Sequence, residues 1–218
     1  MMSVRLRRLN ADYERIRAAF TGDGRIRLLD TIGDPPEKYQ FEFFVPSLQM
    51  DAATKTVRQH NHFVAEVSLT HAYPRMSPQC RMLTPVFHPN IAPHAICIGD
   101  HWAAGESLPN LIVRIAEMLV FQSYNIRSPL NGEAAKWVEM NQRAVPLDEY
   151  DFTSLVDSSG ILGRHADGTL KAAGTSCANC GATGGADLVA CVNGHVVCQD
   201  CSMPCPSCGE LVCLQCSL

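Results

Sequence analysis

Two sets of residues in this chain have the types and spacing to do chemistry. The first is the run His88-Pro89-Asn90-Ile91-Ala92-Pro93-His94-Ala95-Ile96-Cys97, a proline-bounded segment that ends in a single thiol. A thiolate can accept and release an acyl group as a thioester, and an asparagine amide can donate to the oxyanion that develops on the way. Gly99 and Asp100 follow at once, so a strand does not continue past Cys97. Asn90 lies within reach of Cys97 if the segment folds back on itself. By residue type alone Cys97 suits a packed core as well as a nucleophile, because free cysteine is among the most buried residues. His88, beside Pro89, reads as a ring that bonds the backbone of its own turn. His94, Asp100 and His101 read as solvated loop residues, and Cys80, inside an alternating pattern, reads as core.

The second set is the tail. Residues 177–218 hold nine of the eleven cysteines, in the order Cys177-x2-Cys180, Cys191-x3-His195, Cys198-x2-Cys201, Cys205-x2-Cys208 and Cys213-x2-Cys216. Each Cys-x-x-Cys pair can offer two thiolates to one tetrahedral Zn2+. The remaining 176 residues hold only Cys80 and Cys97, a distribution that favours metal in a reducing compartment over a disulfide framework. The tail is short and poor in large apolar residues, so its order is expected to come from metal.

The elements that must position these residues are legible as periodicities. Leu6, Leu9, Tyr13, Ile16 and Phe20 recur at steps of three and four and predict a first helix that ends at Gly22 and Gly24. Tyr39, Phe41, Phe43 and Val45 alternate with polar residues, as do Phe63, Ala65, Val67 and Leu69. A third strand is expected over 79–83, and the short connections favour an antiparallel meander. From 73 to 93 the chain is proline-rich and expected to be extended. Ser107 and Pro109 open a helix whose buried face is Leu108, Leu111, Ile112, Ile115 and Leu119. Asn131 caps another, with Ala135 and Val138 inward, and a weaker helix is expected over 146–156. Residues 157–176 have a linker composition. The expected organisation is α+β: a domain over 1–156, a linker, and a metal-binding domain over 177–218.

Bulk properties exclude several classes. A net charge of −4, with no Lys or Arg from 177 onward, gives no footprint for nucleic acid. No apolar run approaches the roughly 18 residues that span a bilayer. The Arg-rich start contains Asp12 and Glu14 and no continuous apolar region, so it reads as helix rather than a targeting segment, and a cytoplasmic location is expected.

The string Tyr73-Pro74-x3-Pro78, Thr84-Pro85-Val86-Phe87-His88-Pro89-Asn90-Ile91, Ile96-Cys97, Trp102, followed by a helix and Ser128-Pro129-Leu130-Asn131, resembles the core of a ubiquitin-conjugating enzyme over roughly residues 3–145. The resemblance implies that fold. It also implies that Cys97 takes the C-terminal carboxyl of a ubiquitin-like modifier from an adenylating activating enzyme and passes it to an amine on a protein substrate. Asn90 would hold the loop or stabilise the oxyanion. The chain departs from the family pattern at Gly99, where a short acidic residue is common, and in 123–128, where no acidic residue stands; a divergent, bacterial-type branch fits these departures. The tail resembles a RING finger, which implies two structural Zn2+ held by Cys177, Cys180, Cys198 and Cys201 and by Cys191, His195, Cys205 and Cys208. Cys213 and Cys216 are alternates for the last pair, and residues 205–216 also resemble part of a FYVE finger. Such a finger would serve as a ligase or docking module. The alternative reading is a non-catalytic adaptor that binds a ubiquitin-like protein and carries a structural zinc finger; the presence of Cys97 speaks against it.

Overall fold

A computed structural model describes residues 3–22, 24–98, 102, 104–157, 177, 179–181, 188–190, 196–198, 201–204 and 211–213. Helix α1 spans Val4–Phe20, with the Ser3 hydroxyl accepting from the Leu6 N–H at its start. Its apolar stripe buries Leu9, Ile16 and Phe20 completely. Arg8 and Asp12 are buried on the same helix, which the apolar pattern does not foretell.

A four-stranded antiparallel sheet follows: β1 (Ile26–Gly33), β2 (Pro36–Phe43), β5 (Phe63–Ser68) and β6 (Gln79–Met82), in that order. Two short strands, β3 (Ser47–Met50) and β4 (Val57–His60), form a hairpin of their own between β2 and β5. The alternating residues Tyr39, Phe41, Phe43, Val45, Phe63, Ala65, Val67 and Leu69 all face the core, as their period of two requires. The expected meander of three strands lacked β1 and the hairpin. Strand β1 is an edge strand with Leu29 and Ile32 exposed, so it shows no apolar alternation to read.

Helix α2 spans Leu108–Leu119, with the Ser107 hydroxyl accepting from Asn110 N–H and Pro109 in the first turn. Leu108, Leu111, Ile112, Ile115 and Leu119 are fully buried in one cluster with α1 and the sheet. Phe20 meets Phe41 edge to face at 5.8 Å within it. Helix α3 (Gly132–Met140) is capped by the Asn131 side chain and buries Ala135 and Val138. The helix expected over 146–156 is shorter. A 3-10 turn covers Gln142–Ala144 and α4 covers only Ser154–Asp157, because Asp148 and Asp151 hold local turns by accepting from nearby backbone N–H groups.

In the tail, β9 (Leu188–Ala190) pairs antiparallel with β10 (Val196–Cys198), and β11 (Ser202–Pro204) pairs with β12 (Leu211–Cys213). No helix among the described residues is long and apolar enough to cross a membrane.

Candidate functional site: a thiol groove and a four-cysteine centre

The turn at His88 is built to be rigid. Its ring Nδ1 accepts from the Asn90 N–H at 3.1 Å. The ring is wholly buried and packs on Phe121, tilted by 51° with the ring centroids 4.5 Å apart. Phe121 closes α2 with a φ of 59°, a left-handed conformation that costs a side-chain-bearing residue about 1–2 kcal/mol. Burial of its ring with Leu48, Phe87, Ala134 and Val138 offsets that cost. The Pro89 carbonyl accepts from Asn131 N–H at 2.9 Å, so the cap of α3 also fixes the turn.

Burial pushes the His88 imidazole down to about 3, against a smaller opposing influence of the Met118 backbone. The ring is neutral at pH 7 and serves the turn. An unfolded chain takes up this proton near pH 6.5, but the folded chain only near 3. The stability that the neutral ring contributes is therefore complete above 6.5 and falls away as pH drops toward 3, by up to about 1.4 kcal/mol per pH unit. Denaturant midpoints measured from pH 7 to pH 4 should fall more steeply for the wild type than for His88→Gln. Parallel slopes would refute the assignment.

The two expected reactive residues come together through a hairpin too short for the sequence to announce. Strand β7 (Ile91–Ala92) pairs with β8 (Ala95–Ile96), with Ile91 opposite Ile96. The next backbone bond runs from Cys97 N–H to the Asn90 carbonyl at 2.9 Å, setting the two residues side by side. The Asn90 side chain is buried. Its Oδ1 accepts from Asn125 N–H at 2.6 Å and its Nδ2 donates to the Asn125 carbonyl at 2.8 Å. The amide thus fastens the loop after α2 to the turn before Cys97.

Cys97 is half-buried and, with Asn90, lines a groove of about 630 Å³ walled by Arg114, Glu117, Tyr124 and Asn125. Glu117 is the one carboxylate among the described residues of this wall, and burial raises its carboxyl above the usual range, with Arg114 opposing and Asp151 adding to the shift. Its place on α2, rather than in 123–128, is why a search of that loop misses it. The heptad-like pattern of α2 assigns Glu117 only to a face not packed in the core. Cys80 sits on β6, buried, with its thiol pushed up to about 12 by desolvation, as a core thiol should be. His94 is exposed; Asp100 and His101 lie outside the described residues.

In the tail, Cys177, Cys180, Cys198 and Cys201 are all buried, and their Sγ atoms lie within 4.8 Å of one another. The Cys180 and Cys198 sulfurs are 3.6 Å apart. Four sulfurs at the usual zinc–sulfur bond length on a tetrahedron are separated by about 3.8 Å, so this donor set fits one Zn2+. Clustered thiols cannot all ionise without a cation among them. The first and third cysteine pairs thus converge on one point. Cys191, His195, Cys205, Cys208 and Cys216, and the side chain of Cys213, lie outside the described residues, as does most of the linker.

A family model described as ubiquitin-conjugating enzyme matches residues 37–146, just over half of the chain, and the chain belongs to that family. Ubiquitin-conjugating enzyme E2 S of Branchiostoma floridae is 28% identical over 170 residues, which cover 72% of this chain and 74% of that protein. Ubiquitin-conjugating enzyme E2 15 of Schizosaccharomyces pombe is 29% identical over 98 residues, covering 37% of this chain and 58% of that protein. Among solved structures, a candidate ubiquitin conjugating enzyme from Plasmodium yoelii superposes with a TM-score of 0.49 at 17% identity, covering 72% of this chain and 94% of that one.

Proposed function

We propose that the protein carries a ubiquitin-like modifier as a thioester on Cys97 and transfers it to an acceptor amine. The observation that carries this reading is the half-buried Cys97 thiol placed beside Asn90 in an open groove, within a ubiquitin-conjugating enzyme domain. In loading, the Cys97 thiolate bonds to the modifier's C-terminal carbonyl carbon as the activating enzyme's thiolate departs. In transfer, the amine nitrogen attacks the same carbon and the C–S bond breaks. Cys97 leaves as a thiolate, and the surplus amine proton passes to solvent or to Glu117. Asn90 holds the loop and turns its remaining amide N–H toward the developing oxyanion. The partners are the modifier, an adenylating activating enzyme and a protein substrate, in the cytoplasm. Protein supplied with ATP, activating enzyme and modifier should form an adduct that a thiol reductant cleaves. No adduct, or binding of the modifier without a covalent bond, would favour the adaptor reading.

The tail in this reading is a RING-like finger over residues 177–218 with two structural Zn2+. The first is held by Cys177, Cys180, Cys198 and Cys201, and the second by Cys191, His195, Cys205 and Cys208, with Cys213 and Cys216 as alternates for the last pair. Zinc binding of roughly 10–16 kcal/mol per structural site can offset the backbone entropy that so small a core cannot. Native mass spectrometry should count two metals, and Cys198→Ala should lose one. A strong chelator should unfold the tail while residues 1–156 keep their cooperative melt. A metal-free tail that still resists protease would refute the zinc reading.

A further inference from the structure

The four-cysteine centre does not hang free of the conjugating domain. Asn179 lies inside its first Cys-x-x-Cys pair, and its Nδ2 donates to the Cys201 sulfur at 3.3 Å. The Asn179 carbonyl accepts from Arg8 Nη1 at 2.9 Å. Arg8 is 1% exposed and makes contacts in three parts of the molecule. Its Nε donates to Asp12 at 2.7 Å, its Nη1 also donates to the Ala104 carbonyl at 2.7 Å, and its Nη2 donates to the Tyr73 hydroxyl at 3.2 Å and to the Glu106 carbonyl.

The same knuckle sits flush on α1. Gly181 donates to the Cys177 carbonyl at 2.8 Å and has a φ of +71°. A Cβ there would stand 2.5 Å from the Ala11 Cβ and 3.2 Å from the Arg15 guanidinium, so the helix and the knuckle touch with no space to spare. On the far side of Arg8, the segment 104–107 leads into α2. Trp102 donates to the Pro74 carbonyl at 2.7 Å, and the Glu106 carboxylate pairs with Arg114, in the wall of the Cys97 groove, at 3.1 Å.

We propose that the face of α1 formed by Arg8, Ala11 and Arg15 is the docking seat of the four-cysteine centre, and that through Arg8 the metal and the segment 104–107 order one another. The proposal rests on the reading of those cysteines as a metal centre. Without metal the knuckle loses what fixes Asn179, and Arg8 loses one of its acceptors. Without the seat, the knuckle loses the contacts that hold its four sulfurs in register. By linkage each effect implies the other with the same factor.

The test uses the full chain. Ala11→Leu fills the seat from the helix side; Gly181→Ala fills it from the knuckle side and also strains a backbone at a φ of +71°, and neither replaces a cysteine or a member of the buried Arg8–Asp12 pair. Cobalt affinity is read by competition with a chromogenic chelator, and hydrogen exchange of 104–107 is read with and without metal. In the wild type, metal removal should speed that exchange on the order of tenfold. Both variants should weaken Co2+ binding by a similar factor, within the roughly 5–150-fold usual for coupled sites, while retaining the absorption of tetrahedral thiolate cobalt. In both, exchange of 104–107 should be fast and indifferent to metal. Wild-type affinity in Ala11→Leu, or wild-type exchange that ignores the metal, would overturn the coupling. A wild-type chain that binds no metal at all would instead overturn the metal centre, and the coupling with it.

Discussion

Cys97→Ala should abolish the covalent adduct with the modifier and leave the fold intact. The site is half-buried just after a two-residue strand, and it belongs to neither core cluster among the described residues. Removing one sulfur at such a surface position changes stability by about 0.5 kcal/mol or less. Loss of the adduct would then report lost chemistry, and an unchanged melting curve would confirm it. Cys97→Ser should still load, slowly, and give an oxyester that survives thiol reductants, because an alkoxide is a poorer leaving group than a thiolate. Cys80 cannot substitute: it is buried, and its thiol is pushed up to about 12, so hardly any thiolate exists at pH 7. Brief alkylation should therefore label Cys97 long before Cys80. An adduct of wild-type yield in Cys97→Ala would sink the assignment of the nucleophile.

Asn90→Ala should load nearly normally and discharge to an amine about 10²–10³-fold more slowly, the usual consequence of losing one oxyanion donor. The geometry adds a second cost. Alanine leaves both the Asn125 N–H and its carbonyl without the partners they have in the Asn90 amide, at about 1–3 kcal/mol for each group left unsatisfied. The melting temperature should drop, and the Asn125 amide should exchange faster. Single-turnover discharge separates the two consequences: loosening alone slows transfer only as far as the loop opens, whereas loss of a donor to the oxyanion slows it even at low temperature with the loop closed. An unchanged discharge rate would remove Asn90 from the chemistry.

The sequence by itself determined the parts of this protein that depend on local periodicity and residue type. The stripe of α1, the alternation of β2 and β5, and the Ser107 and Asn131 caps are set by contacts within a few residues, so they can be read from a few residues. The identity of Cys97 and Asn90 as candidates was also legible, because the proline-bounded turn and the break after Cys97 are local. The pairing of Cys177 and Cys180 with Cys198 and Cys201 was implied by the RING resemblance, whereas spacing alone left ten ligand candidates open.

Tertiary structure decided what lies between distant segments. A strand of two residues, as in β7 and β8, has no period to detect, yet that hairpin sets Cys97 against Asn90. Edge strand β1 has no buried alternation because only one neighbour and part of one face constrain it. Glu117 enters the Cys97 groove because of how α2 crosses the sheet, and Arg8 is buried because its five donors meet acceptors from residues 12, 73, 104, 106 and 179. A charged side chain in a helical stripe reads as solvated. Only the fold, by bringing those acceptors to one point, provides enough hydrogen bonds to offset its desolvation.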